Sequence, residues 1–141
     1  MSQGGFNRVD ASDVKMYGKR GIILCGYDIS EQNLFAELLA KNSFENIPII
    51  SANESHTDQT LGEIIATPDR TGFGVTSTLP RASILSGITK GELHLVISMV
   101  RKSELPGQLW ASMTPTSETW KLKDLLAELL REREEFRKRK A

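Results

Sequence analysis

The sequence matches itself when it is shifted by 61 positions, so that residues 22–66 align with residues 83–127 without a gap. The apolar positions of the two segments correspond closely. A repeat of this length indicates that one structural unit occurs twice and that the copies bury their apolar faces together. Two ordinary units that converged on one pattern are the alternative. Identical residues align at Leu24 and Leu85, Gly26 and Gly87, Glu31 and Glu92, Leu34 and Leu95, Lys41 and Lys102, Ser51 and Ser112, Leu61 and Leu122, and Ala66 and Ala127.

The first half has the pattern of a βαβα unit. Residues 21–25 are a short apolar run, which is typical of a strand covered on both faces. Asp28 lies three residues before Glu31, the spacing of a capping box, and predicts a helix that runs to about Lys41. Residues 47–52 predict a second strand. A shorter helix should follow, carrying Leu61, Ile64 and Ile65.

The second half repeats this order of elements. Residues 83–86 predict a strand, and Thr89 with Glu92 forms the capping box of a helix over residues 89–102. We expect the packing stripe of this helix to be Leu95, Val96, Met99 and Val100, in the places of Leu34, Phe35, Leu38 and Leu39.

The rest of the second half predicts a strand over residues 109–113 and a long final helix. Thr116 takes the place of Ser55 as a helix cap, and the helix is expected from about Glu118. It outgrows its counterpart in the first half by several turns.

These elements predict an α/β protein in which a duplicated βαβα unit forms a mainly parallel four-stranded sheet with helices on both faces. The strands that begin near Ile22 and Ser83 are expected in the centre of the sheet. We expect a flexible leader over residues 1–20 and a single domain over residues 21–141. The domain should consist of two repeats (21–66 and 82–130), a linking loop (67–81) and the extended C-terminal helix.

Composition restricts the class of function. Eighteen basic residues balance eighteen acidic ones, so no net field attracts nucleic acid, and we expect no nucleic-acid partner. The single cysteine, Cys25, lies within an apolar run, which predicts a soluble protein in a reducing compartment such as the cytoplasm. The cysteine and histidine spacings fit no metal site, and no nucleophile motif or cofactor-binding motif is present. We therefore expect no catalytic residues, no metal and no cofactor.

Polar residues at the carboxyl ends of the predicted strands are the candidates for small-ligand binding. Ligands of parallel sheets usually bind at this rim, beside the helix N-termini. The alternative is that these side chains only cap helices. The candidates are Asp28, Asn53, His56, Thr89 and Thr116.

Three regions are candidates for partner binding. The loop over residues 67–81 is long and either functional or a plain linker, and it carries Arg70, Phe73 and Arg81. The apolar 89–102 helix either lies deep in the fold or mediates a homodimer. The basic C-terminal tail either contacts an acidic partner or anionic lipid headgroups peripherally, or is a solvated helix end. Its basic residues are Arg137, Lys138, Arg139 and Lys140.

The second half resembles a small family of domains of unknown function. Three pieces carry the resemblance: Ser86 and Gly87 after a strand, residues 113–116 after the next strand, and Trp120 at the opening of the last helix. Bacterial members of that family have no established activity, and plastid relatives include a factor for photosystem I assembly on the stromal face of the thylakoid. The resemblance implies no catalytic residues, and it adds the chloroplast stroma as a possible location.

Together these features favour a non-enzymatic protein-binding or assembly factor, with photosystem I biogenesis as the setting that the resemblance implies. The alternative is a small-ligand-binding domain or an enzyme that uses the rim.

Overall fold

The computed structural model describes residues 14–44 and 46–140. Strands and helices alternate in the order expected from the sequence, with a single 3-10 turn before each of the last helices of the two halves. The elements are β1 (Gly21–Cys25), α1 (Ile29–Lys41), β2 (Ile49–Ala52), a turn (Glu54–His56), α2 (Leu61–Ile65), β3 (Ala82–Ser86), α3 (Lys90–Arg101), β4 (Leu109–Ser112), a turn (Ser117–Thr119) and α4 (Leu122–Lys140).

The four strands form one open, mixed sheet in the order β2-β1-β3-β4. The prediction that β1 and β3 lie in the centre is confirmed. Each half contributes a parallel pair, as the crossover rule requires, but β1 and β3 are antiparallel, with Ile23 beside Ile84. The expectation of a mainly parallel sheet was therefore wrong at the central pair.

The path of the 67–81 loop explains the antiparallel central pair. The Arg70 N–H donates to the Ile49 carbonyl (2.7 Å), and the Ser51 N–H donates to the Thr71 carbonyl (2.9 Å). The loop thus runs beside β2 and in the same direction. It delivers the chain to the carboxyl end of β1, so β3 begins there and runs back along β1.

The two parallel pairs share one register. Ile22 lies beside Ile49 in the first half, and Ala82 lies beside Leu109 in the second, so the partner follows 27 positions later in both pairs. The two halves therefore have the same strand geometry. Their strands run in opposite directions on the two sides of the sheet centre.

The helices cover both faces of the sheet, as expected. One apolar cluster joins Ile23, Ile84 and other strand residues to α2 and α4. The other joins Ile22, Leu24 and Leu85 to α1 and α3. Successive strand residues point to opposite faces, which separates these two clusters.

Capping boxes start three of the helices. Asp28 with Glu31 starts α1, Thr60 with Glu63 starts α2, and Thr89 with Glu92 starts α3. The predicted starts of α1 and α3 are confirmed. They could be predicted because each capping box lies at the helix start that it specifies.

Two expectations about side chains in the second half were wrong. Leu95 is 58 % exposed, although it was expected in the packing stripe, while Val96 and Val100 are buried. Several apolar residues ring α3, and its position on the sheet selects which of them face inward. Thr116 makes no side-chain cap, and α4 begins at Leu122 rather than near Glu118.

Part of the expected leader contacts the second half. The Met16 N–H donates to the Ile88 carbonyl (2.8 Å), and the Gly87 N–H donates to the Tyr17 carbonyl (3.0 Å). Residues 1–13 of that leader lie outside the described residues. Within the described part of the chain, no helix is long and apolar enough to cross a membrane.

Candidate functional site

The antiparallel centre of the sheet divides the predicted ligand rim between two places. The carboxyl ends of β1 and β2 lie at one end of the sheet, here called the first end, and those of β3 and β4 lie at the opposite, second end. Asp28, Asn53 and His56 follow β1 and β2, whereas Thr89 and Thr116 follow β3 and β4. A single rim that uses all five residues therefore does not exist.

The three candidates at the first end hold helix starts in place. The Asp28 carboxylate accepts the Glu31 N–H (2.9 Å), and this bond, with the Ser30 hydroxyl, lowers its pKa. His56 is buried, and its Nδ1 accepts the Asn53 N–H (3.0 Å). The Asn53 side chain in turn accepts the N–H of Ser55 (2.9 Å). Each side chain thus satisfies a backbone donor that the helix start leaves free.

The candidates at the second end differ from each other. The Thr89 hydroxyl accepts the Glu92 N–H (3.0 Å), as a cap does. Thr116 is exposed, and the capping role falls to Thr114, whose hydroxyl accepts the Ser117 N–H (2.9 Å). Of these two candidates, only Thr89 therefore caps a helix at the second end of the sheet.

Segments of the chain itself cross both ends of the sheet. Residues 77–81 pass over Gly26, and residues 16–20 pass over Gly87. A Cβ on either glycine would lie 2.4 Å from a backbone carbonyl oxygen of the crossing segment, and both glycines have positive φ (78° and 63°). The space beside the carboxyl ends of β1 and β3 is thus filled by backbone.

Two ion pairs connect the halves reciprocally. Arg20, just before β1, donates to both carboxylate oxygens of Glu92 (2.9 and 2.7 Å), which belongs to the capping box of α3. Arg81, just before β3, donates to Glu31 (2.8 Å) in the capping box of α1. Each arginine therefore fixes the helix start of the other half, and the side chains of both pairs are about four-fifths buried.

The ion pair with Arg20 lowers the proton affinity of Glu92. The Arg20 guanidinium lowers the pKa of the Glu92 carboxyl to about 2, and Glu92 raises the pKa of Arg20. A bidentate, partly buried pair favours the charged forms of both partners.

A buried polar cluster lies beside Arg81. The Arg81 guanidinium stacks over the ring of Tyr27, 4.5 Å from the ring centroid. The Ser83 hydroxyl donates to the Gln108 side-chain oxygen (2.8 Å). Burial raises the pKa of Tyr27. Stacking on the aromatic face stabilises the buried guanidinium, so the predicted partner residue Arg81 serves the interior.

The cysteine cannot act as a nucleophile in this fold. Cys25 is fully buried in β1, and burial raises the pKa of its thiol to about 12. The reactive form of cysteine is the thiolate, which is scarce at neutral pH for such a group.

The 67–81 loop packs against the first half. The buried side chain of Gln32 accepts the Gly74 N–H (2.9 Å) and donates to the Val75 carbonyl (2.8 Å). Phe73 is partly buried against the α1 and α3 cluster, and the exposed Arg70 lies over its ring at 5.2 Å. Of the predicted partner residues in this loop, only Arg70 is thus fully available at the surface.

The end of α4 is exposed. Every residue from 131 to 140 is exposed, including Phe136 at 56 %. Arg131 pairs with Glu128 and Glu135 along the helix, and Lys140 lies over the Phe136 ring at 5.0 Å. The basic residues 137–140 form the last turn of this helix.

The outer edge of β4 is the feature that the sequence did not reveal. Leu109 and Met113 direct their N–H groups to the carbonyls of Arg81 and Leu85 (3.0 and 2.8 Å), so Trp110 and Ser112 direct theirs outward. No described residue bonds to these outward backbone groups. The equivalent groups of β2 are bonded by the 67–81 loop.

Three clefts flank this edge. The cleft on the α3 side has a volume of about 200 Å³. On the α4 side, one of about 330 Å³ lies near Leu109 and one of about 280 Å³ lies near Ser112. Their linings include Val100, Leu105 and Trp110 in the first, Leu109, Leu130 and Arg133 in the second, and Leu129, Glu128 and Glu132 in the third.

Residues 81–136 match the model of DUF3783, a domain of unknown function. The DUF3783 match begins at Arg81 and contains β3, α3, β4 and most of α4. It agrees with the resemblance of the second half to a family of domains of unknown function. No curated protein and no solved structure matches the chain.

Sequence reasoning missed Arg20 and the open edge of β4. Arg20 was placed in the leader, yet it lies 61 positions before Arg81, as Glu31 does before Glu92. Extending the repeat alignment by a few residues would have found the reciprocal pairs.

Proposed function

We propose that this chain is a non-enzymatic binding protein that acts in the assembly of a protein complex. The observation that carries the proposal is the exposed end of α4, residues 131–140, which lies outside both apolar clusters. Its basic turn and exposed Phe136 offer a partner both charge and an apolar contact. Aromatic and basic side chains together are common anchors of protein interfaces.

The closed ends of the sheet support a binding role over an enzymatic one. Ligands of α/β sheets usually occupy the space beyond the strand ends. Here backbone segments fill that space beside β1 and β3, and the side chains that follow the strands serve mainly as helix caps. A small-ligand-binding domain or an enzyme that uses the rim is the alternative class of function.

We further propose that the fold arose by duplication of a βαβα unit. Three contacts between the halves each occur twice. Moving one partner of the contact 61 positions forward and the other 61 positions back gives the second contact. The first is the pair of arginine–glutamate bridges. In the second, the Met16 N–H donates to the Ile88 carbonyl and the Ser77 N–H donates to the Tyr27 carbonyl. In the third, the Leu61 N–H donates to the Trp120 carbonyl and the Leu122 N–H donates to the Gln59 carbonyl. The family resemblance suggests photosystem I biogenesis, in the chloroplast stroma, as a setting.

A charge-reversal experiment tests the role of the α4 end. We would reverse residues 137–140 to glutamate and compare partner recovery from cell extract with that of the wild-type chain. The matched control reverses four exposed basic residues of α1, of α3 and of the cap that follows α3: Lys41, Lys90, Arg101 and Lys102. Loss of the partner only with the α4 variant is expected, and equal recovery with all three proteins would contradict the proposal.

Two further assays separate the alternatives. Thermal stabilisation by nucleotides or phosphorylated metabolites, abolished by Asp28→Ala, would favour a small-ligand function, since a ligand that binds the folded state raises its melting temperature. Binding to vesicles of anionic lipid that needs residues 137–140 would replace the protein partner with a membrane surface.

A further inference from the structure

The outward backbone groups of Trp110 and Ser112 make β4 a template for another strand. An edge of this kind is normally covered, blocked or paired. The other edge of the same sheet shows the covered state, because the 67–81 loop bonds to the outward groups of Ile49 and Ser51. The two edges thus differ although their strands have the same register.

The cover of β2 depends on left-handed backbone at two positions of the loop. The loop beside β2 uses positive φ at Arg70 (73°) and at Gly72 (83°), where a Cβ would lie 1.9 Å from the Ser51 carbonyl oxygen. Backbone of this kind is uncommon for residues with a side chain, so the cover of β2 is particular to the sequence of this loop.

We propose that the β4 edges of two copies of this chain pair antiparallel about a twofold axis at Ala111. Trp110 of each copy then exchanges backbone hydrogen bonds with Ser112 of the other copy, which satisfies the outward groups. The two sheets become one continuous sheet. The centre of the chain already contains such a contact, because β1 and β3, the first strands of the two halves, pair antiparallel.

Charge on α4 favours a second copy as the occupant of the edge. Arg133 lines the cleft beside Leu109, and Glu132 lines the cleft beside Ser112. Neither forms an ion pair with a described residue. Antiparallel pairing places the Leu109 end of one copy at the Ser112 end of the other. Arg133 of each copy therefore faces Glu132 of the other, and the contact is self-complementary, as a twofold interface requires.

The test is the oligomeric state of the full chain, measured by sedimentation over a range of concentrations. A dimer is expected for the wild-type chain. Glu132→Arg and Arg133→Glu should each weaken it, by tenfold or more in dissociation constant, and the double variant should restore it. Ser112→Pro removes only an outward N–H and should give a monomer with a nearly unchanged melting temperature.

Other outcomes would overturn the proposal. The control Leu95→Lys changes the exposed apolar residue of α3 and should leave the dimer intact. A dimer that is lost with Leu95→Lys but kept with the single charge variants would place the contact on α3. A wild-type chain that is monomeric at all concentrations would exclude self-pairing. The charge variants change exposed residues of α4, so they decide the question even where Ser112→Pro fails to fold. The oligomeric state is measured on the purified chain, whereas the partner test reverses residues 137–140, so the two proposals can fail separately.

Discussion

Replacing Glu92 by glutamine isolates the charge of the reciprocal ion pair. Glutamine keeps a side-chain oxygen that can accept the Thr89 N–H, as Glu92 does at 2.9 Å, so the start of α3 stays capped. What is lost is the charge opposite Arg20. Glu92→Gln should therefore destabilise the fold through one interaction between the halves.

The magnitude follows from the pKa of Glu92, which Arg20 lowers from its ordinary value of 4.5 to about 2. A shift of roughly 2.5 units corresponds to on the order of 3 kcal/mol of folding free energy. Because the folded pKa lies below the unfolded one, this stabilisation is complete above about pH 4.5. It is lost as the pH falls through the folded pKa of about 2, and below that pH the carboxyl is protonated in both states.

Urea unfolding at several pH values measures the effect. The wild-type chain and Glu92→Gln should differ by on the order of 3 kcal/mol at pH 7 and should converge as the pH falls toward 2. A swapped variant, Arg20→Glu with Glu92→Arg, should recover part of the stability at pH 7. A difference that is independent of pH, or absent at pH 7, would refute the reasoning.

The glycine at the second end, the thiol and the loop anchor give three further predictions. Gly87→Ala should cost about 2 to 4 kcal/mol, because its Cβ would meet backbone at positive φ, whereas Gly74→Ala, with open space around it, should cost about 1 kcal/mol; urea unfolding compares them. Cys25, with its pKa raised to about 12, should react with a thiol reagent at pH 8 only as fast as the chain unfolds, and rapid modification of the folded protein would contradict this. Gln32→Ala should cost about 1 to 2 kcal/mol and speed proteolysis within residues 67–81, since it removes two hydrogen bonds that hold the loop; unchanged cleavage would argue against the anchoring role.

The elements of this fold could be predicted because their signals are local. The apolar run at residues 21–25 and the capping boxes at Asp28 and Thr89 lie within the elements that they specify. The direction of β3 could not be predicted in this way. It depends on the hydrogen bonds of residues 70 and 71 with β2, which join parts of the chain distant in sequence.

The candidate site was predicted less well for the same reason. Residue types at strand ends suggested a shared rim, but the direction of β3 separated Asp28 from Thr89. Arg81 was expected at the surface, yet its partner Glu31 lies fifty positions away and is brought near only by the fold. The exposed end of α4, in contrast, followed from its composition, because charged residues without an apolar stripe remain in solvent.

The two reciprocal arginine–glutamate pairs couple the stability of one half to that of the other. When the strand preceded by Arg20 detaches, the helix start of the opposite half loses its counter-charge, and the reverse holds for Arg81. Neither half can then open alone at low free-energy cost, so unfolding should be one cooperative event. The backbone amides of β1 and β3 should accordingly exchange with deuterium at closely similar, very slow rates.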